Sequence, residues 1–414
     1  MTESDPAADA VADWAASGAV ALTGRPDGPP LVPPGRAATR ARALAARIAE
    51  LTGGAVRVDG AALLAERAAF TGATRQGPVS AGVGCRLLRT ADGWAAVSCV
   101  RPDDPMLLGA LIGTEVPDDD GLWPPVEAWL RAHTGAELAE RATLLGLAAG
   151  PVASGGPVAP VQMPLPGEGR SVEGLLVVDF SALWAGPLCA HLLGLAGARV
   201  VKVETPSRPD GARRGHPGFY RLLHAGHRSV VLDPGERSGR HALRALVEKA
   251  DIVIEASRPR ALAGFGLDAH ASAAAGTTWI SITAAGRAAD RVGFGDDVAA
   301  GAGLVAREPS GVPLFCGDAI ADPLTGLTAA ARALAPPPGV PHDISMTAVA
   351  AATLDPGPPS PSVAARRQGE GWVVDASGGP IAVAAPRHRT PAGRAARSGE
   401  HTAEVLRELR IPVP

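Results

Sequence analysis

At 414 residues the chain is long enough for two or three domains, and its 46% hydrophobic and 20% charged content is that of an ordinary globular protein. A net charge of −3 speaks against a general nucleic-acid binder. No apolar run reaches the ~18–20 residues of a membrane span.

The first residues, MTESDPAADAVADWA, are acidic and lack the basic and apolar regions of a signal peptide, so a cytoplasmic location is the expectation. Residues 1–10 read as a frayed tail. Apolar spacing predicts a helix over 38–51 and another over 61–69. CRLLRTADGWAAVSCV, 85–100, reads as two short strands joined by a turn at Ala91-Asp92-Gly93. Helices follow over 126–133 and 136–146. Residues 149–172 are rich in Pro, Gly and Ser and read as a linker.

An α/β pattern begins directly after it. The strand 175–178 ends at Asp179, a small-residue turn at Ala185-Gly186-Pro187 opens a helix over 188–195, Gly197 stops it, and a strand over 199–204 follows. A loop leading from a parallel strand into a helix N-terminus is suited to a phosphate-bearing ligand, although no GxGxxG is present. HRSVVLD, a helix over 240–249, and the strands DIVIE and WISIT continue the alternation, which implies a parallel sheet covered on both faces. A helix is predicted over 325–334, strand then helix over 340–350, loop over 357–370, a hairpin over 371–384 and a terminal helix over 400–409. Residues 16–44 and 300–334 share a faint repeat that aligns Gly35 with Gly317 and Arg40 with Asp322. The four cysteines show no CxxC spacing and the ten histidines no HExxH, so buried thiols and no metal site are expected.

Five stretches, taken together and in order, resemble the class III CoA-transferase family, which includes formyl-CoA and carnitine CoA-transferases and the α-methylacyl-CoA racemases. They are VVDFSALWAGPLCAHLLGLAGARVVKVETP, HRSVVLDP, ADIVIEASRPRALAGFGL, GVPLFCGDAIADPLTGLTAA and GEHTAEVLRELRI. The resemblance implies an α/β fold, a Rossmann-like parallel-sheet large domain with a smaller α+β domain. Family members open on the first of these stretches, whereas here about 170 residues precede it. Within that leader, GCRLLRTADGWAAVSCVRPDD and LAERATLLGLAAGPVAS are similar to parts of the family's small domain. A fused or permuted layout is therefore expected: a truncated large-domain-like segment at 1–60, a small α+β domain at 61–155, a linker at 156–172, the large domain at 173–350 and a C-terminal segment at 351–414.

The chemistry implied is transfer of CoA from an acyl-CoA to a carboxylic acid acceptor through a covalent aspartyl intermediate. Asp322 in GDAIADPLTG matches the family's catalytic aspartate; read without the resemblance, Asp322 is an N-cap of the helix it precedes, and Asp318 is the rival carboxylate. By position Trp184, Ala185, Thr205, Leu232, Ala256 and Arg258 match the family's CoA contacts, and Asp296 and Asp297 lie beside the pantetheine path. Several of these depart from the family pattern: Thr205 stands where Arg is frequent, Ala256 where Asn is, and His227 where Lys is. Arg228 and Arg258 remain as cations for the CoA phosphates. The racemase branch pairs a His with an Asp, and Gly295-Asp296-Asp297 lacks that His, which ranks racemase below transferase. A catalytically silent acyl-CoA-binding or scaffold protein is the reading from another class. No metal or covalent cofactor is expected, CoA thioester being a substrate. The expected partners are an acyl-CoA and a carboxylic acid, with no nucleic acid and no membrane. The family's interlocked dimers imply a homodimer or an internally paired two-copy monomer.

Overall fold

The computed structural model describes residues 6–157, 161–257 and 259–414. Its centre is a six-stranded sheet in the order His342–Ser345, Thr278–Thr283, Ile252–Glu255, Leu176–Asp179, Arg199–Glu204, Arg228–Val231. Every neighbouring pair is parallel. The chain lays down Leu176–Asp179 first, runs out to Arg228–Val231, and returns to build the other side from Ile252–Glu255. The direction of travel reverses between Leu176–Asp179 and Ile252–Glu255, so the crevice beyond their C-terminal ends is the topological switch point where open α/β sheets hold ligands.

Alternation along the strands divides the core. Val177, Val200, Ile252, Ile254, Ile280 and Ile282 face one side, while Leu176, Val178, Val201, Val203, Val253 and Trp279 face the other. The second face is covered by the helices Arg237–Glu248, Ala269–Ala274 and Thr402–Glu408 through residues such as Leu243, Ala273 and Leu406. The first is covered by Ala185–Leu195 and Ala321–Ala333, and also by helices from the start of the chain. Trp14 on Pro6–Ser17 and Leu44 and Ile48 on Ala37–Leu51 are buried in the same cluster as the sheet. The leader is thus part of the large core.

A second, smaller unit lies within the leader. Its antiparallel sheet of Cys85–Arg89, Trp94–Ser98 and Ala149–Pro151 packs with the helices Asp104–Ile112, Trp123–Ala132 and Gly135–Leu145 around Leu108, Val126, Leu130 and Leu138. Thr134 and Glu137 form a reciprocal capping box that fixes the start of Gly135–Leu145. Residues 161–170, the described end of the Pro-rich stretch, are strapped across two helices: Arg40 donates to the Met163 carbonyl, Arg47 to Pro166 at 2.8 Å, and Arg332 to Pro164 at 3.0 Å.

The two arms of the repeat share their punctuation. Gly18 and Gly303 close a helix in the left-handed region, and Gly35 and Gly317 precede the next helix there, at φ of 69° and 65°. Their registers differ, because Ala37–Leu51 starts two residues after Gly35 whereas Ala321–Ala333 starts four after Gly317. By helix position the counterpart of Asp322 is Ala38, and Arg40 instead faces Arg332 at the other end of that helix. Among the described residues no helix is long and apolar enough to cross a membrane.

Candidate active site

The turn that follows Leu176–Asp179 is built by buried charges. The Asp179 carboxylate accepts from the Ser181 backbone N–H at 2.8 Å and from the Ser181 hydroxyl. Lys202, on the next strand, donates to the Ser181 carbonyl at 2.6 Å and pairs with Asp210 at 2.9 Å and Asp179 at 3.8 Å. Asp210 in turn accepts from the Leu183 N–H at 3.0 Å, which holds Leu183 at a left-handed φ of 69°. Burial pushes the Asp179 carboxyl up, and the surrounding carboxylates raise the Lys202 ammonium against the same burial. A Cβ on Gly186 would lie 2.1 Å from the Ser181 side chain, so only glycine lets the helix begin this close to the strand.

That helix begins at Ala185, three residues earlier than apolar spacing predicts, because Ala185-Gly186-Pro187 form its first turn. The Ala185 N–H is therefore one of the free donors of a helix start, and it points at the carboxylate of Asp322. Asp322 is the second residue of Ala321–Ala333, whose N-cap is Ile320. The N-cap reading is thereby corrected: Pro323 fits inside a first helical turn, so the helix starts before it.

Four carboxylates converge here. Asp322 and Asp296 are half-buried, and Asp297 and Asp318 are buried. Desolvation pushes Asp322 up to about 7; Arg67 and the Ala185 N–H pull it back, and Asp318 and Asp297 add to the rise. Asp296 is likewise raised to about 7, by burial and then Asp318, while it accepts from the Ala319 N–H at 2.9 Å. Ala319 holds a φ of 45°, a left-handed conformation that this hydrogen bond supports. Burial raises Asp297 to about 6; it accepts from the Phe294 N–H at 2.8 Å and the Ser98 hydroxyl at 2.9 Å. Gly295 walls the site, since a Cβ there would sit 2.0 Å from Asp322 Oδ2.

Two cations answer these acids among the described residues: Arg291 acts on Asp297, and Arg67 on the other three. Arg67 makes a two-point pair with Asp318, Nε to Oδ2 at 2.9 Å and Nη2 to Oδ1, and its guanidinium lies 5.4 Å from the centre of the Trp184 ring. Trp184 is 2% exposed and packs edge-on against Phe219 at 5.2 Å, and its buried indole N–H finds no partner among the described residues.

Of the residues singled out from sequence, Trp184, Ala185, Asp296, Asp297, Asp318 and Asp322 come together. Thr205 closes a turn by accepting from the Arg208 N–H at 3.2 Å. Leu232 is buried in the core on the opposite sheet face from Trp184. Ala256 is exposed just past Ile252–Glu255. Arg228 pairs with Glu408, and Arg258 lies outside the described residues. Sequence reasoning missed Arg67, Ser98 and the donor role of Ala185. The signal for Arg67 was a charged pair inside the apolar run AALLAERAAF, where a buried helix face has no use for charge without a partner.

A parallel sheet whose switch-point helix aims a backbone donor at a desolvated aspartate defines a Rossmann-like α/β protein. Residues 172–336, which hold this sheet's first five strands and Asp322, match the family described as CoA-transferase family III. Succinate–glutarate CoA-transferase of Agrobacterium fabrum is 32% identical over 183 residues, 39% of this chain and 46% of that protein. Succinyl-CoA:mesaconate CoA-transferase of Haloarcula hispanica is 39% identical over 95 residues, 20% of this chain and 24% of that protein. Formyl-CoA:oxalate CoA-transferase of Bradyrhizobium sp. is 32% identical over 104 residues, 23% of this chain and 24% of that protein. The chain thus spans less than half the length of these curated relatives. Among solved structures, a CAIB/BAIF family protein from Brucella suis is 25% identical with a TM-score of 0.42, covering 51% of this chain and 65% of that one. A hypothetical protein from Mycobacterium tuberculosis is 27% identical with a TM-score of 0.43, covering 51% and 66%.

Proposed function

We propose that the protein is a CoA-transferase that moves CoA from an acyl-CoA to a carboxylic acid, with Asp322 as the nucleophile. The observation that carries this reading is the setting of Asp322: desolvated yet half-open, with the Ala185 N–H on it and no side chain at Gly295 to cover it. A carboxylate so placed attacks a thioester carbonyl. The C–S bond breaks, the CoA thiolate leaves with its electron pair, and a mixed anhydride joins the acyl group to Asp322. The thiolate then attacks the Asp322 carbonyl, releasing the donor acid and leaving an aspartyl–CoA thioester. An acceptor carboxylate attacks that thioester, giving a new anhydride and thiolate. Attack of the thiolate on the acceptor's acyl carbon yields the new acyl-CoA and restores Asp322. No outside oxidant, reductant or metal enters this sequence. The Ala185 N–H supports the Asp322 oxygen that gains charge when the Asp322 carbonyl itself is attacked, by the thiolate and then by the acceptor.

Incubation with a panel of acyl-CoAs, hydroxylamine trapping and peptide mass spectrometry tests this. A hydroxamate at Asp322, absent in Asp322→Ala, is expected; no adduct with any acyl-CoA overturns it. The second reading, an acyl-CoA-binding protein without turnover, draws on the burial of Trp184 beneath Arg67 and of Leu232 in the opposite core, which removes two of the matched contacts from the pocket. Calorimetric binding of acyl-CoA with no adduct would select it. In either case the smaller unit within 61–155 stands in for a small domain fused ahead of the large one, and light scattering distinguishes a homodimer from an internally completed monomer.

A further inference from the structure

The leader does more than cover the sheet. Arg67 reaches the acid cluster from the helix Glu66–Thr71, more than one hundred residues before the segment that carries Asp322 and Ala185. Its helix is pinned from both sides. Glu66, 1% exposed, receives Arg389 through Nε at 2.8 Å, Nη2 at 2.7 Å and the backbone N–H at 3.1 Å. Arg67 itself is forked onto Asp318, which is also 1% exposed. A two-point fork onto a buried carboxylate fixes this half-buried guanidinium in place, unlike a surface arginine free to choose among rotamers. The space around it is tight: a Cβ on Gly82 would come within 3.1 Å of Arg67 Nη2. Below lies the Trp184 ring, the residue immediately before the Ala185 donor.

We infer that Arg67 is a positioning residue of the Asp322 site, a fixed cation lent by the leader that favours the ionised nucleophile and seats the Trp184–Ala185 turn. The inference rests on the reading of Asp322 as nucleophile, but its physical content can be tested without turnover. The charged groups facing Asp322 are Arg67 from Glu66–Thr71, Asp318 from the preceding loop, and Asp296 and Asp297 from Gly295–Ala302, with Arg291 behind Asp297. Three other acids against Arg67 make a site in which ionising Asp322 is opposed. Arg67 is the largest influence that favours it, ahead of the Ala185 N–H. Removing the arginine therefore moves the Asp322 titration upward, and removing the Asp318 charge moves it downward.

The test follows the Asp322 carboxyl by carbon NMR on the full chain, assigned by difference against Asp322→Asn, together with the pH dependence of adduct formation. In Arg67→Gln the midpoint is expected to rise by about one pH unit, with adduct formation at pH 7 slowed roughly five-fold and recovered at higher pH. Arg67→Lys, which keeps the charge, is expected to hold the midpoint near that of the parent. Arg67→Gln leaves Asp318 buried without a cation and so risks misfolding. Arg67→Gln/Asp318→Asn removes both charges in matching shapes, and because Arg67 outweighs Asp318 at Asp322 its midpoint also rises, by less. A midpoint unchanged in the folded double variant and in Arg67→Gln overturns the inference. A merely structural Arg67 would lower stability and leave the midpoint where it was. If no acyl-CoA gives an adduct while the midpoint shifts as stated, the transferase reading fails and the role of Arg67 stands.

Discussion

The Asp322 carboxyl holds its proton to about pH 7, against the usual carboxylate range near 4. In the unfolded chain it would lose that proton some three units lower. Between about pH 4 and 7 the folded state therefore binds more protons than the unfolded one, and stability falls as pH rises through that window. Asp296 and Asp297, raised to about 7 and about 6, act in the same direction. Asp322→Asn is expected to be more stable than the parent at pH 8, on the order of 1–2 kcal/mol once its partial solvent contact is allowed for, with the difference vanishing near pH 4. Urea unfolding of both proteins at the two pH values measures it; equal stability at pH 8 would show that the carboxylate is not desolvated. With Asp322 as the proposed nucleophile, the activity is expected to run the other way, since only the ionised form attacks: the rate should climb with pH through an acid limb near 7.

The strand–turn–helix unit from Leu176 to Leu195 shows how local charge sets the site's shape. Its existence was legible in the sequence, because an apolar four-residue run followed by small residues and an apolar helix has few other solutions. The helix start was not. The steric need for Gly186 against Ser181, and the contribution of Lys202 from the neighbouring strand, depend on contacts between segments that no spacing encodes. The same limit hid the start of Ala321–Ala333, where Pro323 reads as a boundary although it sits comfortably in the first turn. Asp322 was legible as a candidate; Arg67, distant in sequence and paired with the neighbouring Asp318, was not. Lys202, on the neighbouring strand, holds this unit's turn together. Lys202→Met would leave Asp179 and Asp210 buried at 0% and 3% exposure without their shared cation. Breaking a buried pair in this way costs roughly 3–5 kcal/mol. Chemical denaturation should show that loss, together with greater proteolytic sensitivity around Leu183; a variant within 1 kcal/mol of the parent would mean that solvent already reaches these carboxylates.

In the molecule as a whole, the leader and the large sheet share one core. Trp14, Leu44 and Ile48 lie in the cluster that contains Val177, Ile254 and Leu327, and the Trp14 indole donates to the Gly35 carbonyl at 2.8 Å to tie the first two helices together. The strap 161–170 is fastened to both Ala37–Leu51 and Ala321–Ala333 by arginines from each. An arrangement in which helices from the two ends of the sequence interlock cannot release one without exposing the other's apolar face. Ala37–Leu51 should therefore open only with the sheet, as one cooperative unit. The smaller unit around Leu108 and Leu130 has its own apolar cluster and meets the large unit through the separate seam of Cys85, Leu87 and Ala96 on Ala300, Val305 and Phe315 and through Ser98 on Asp297, so it is expected to open separately. Native-state hydrogen exchange reads this directly. Amides of Ala37–Leu51 and Ala321–Ala333 are expected to share the highest opening free energy, with those of Asp104–Ile112 and Gly135–Leu145 at or below it. Exchange of Ala37–Leu51 many-fold faster than the central strands would make the leader a peripheral attachment, and with it would go the physical basis for a site completed by Arg67.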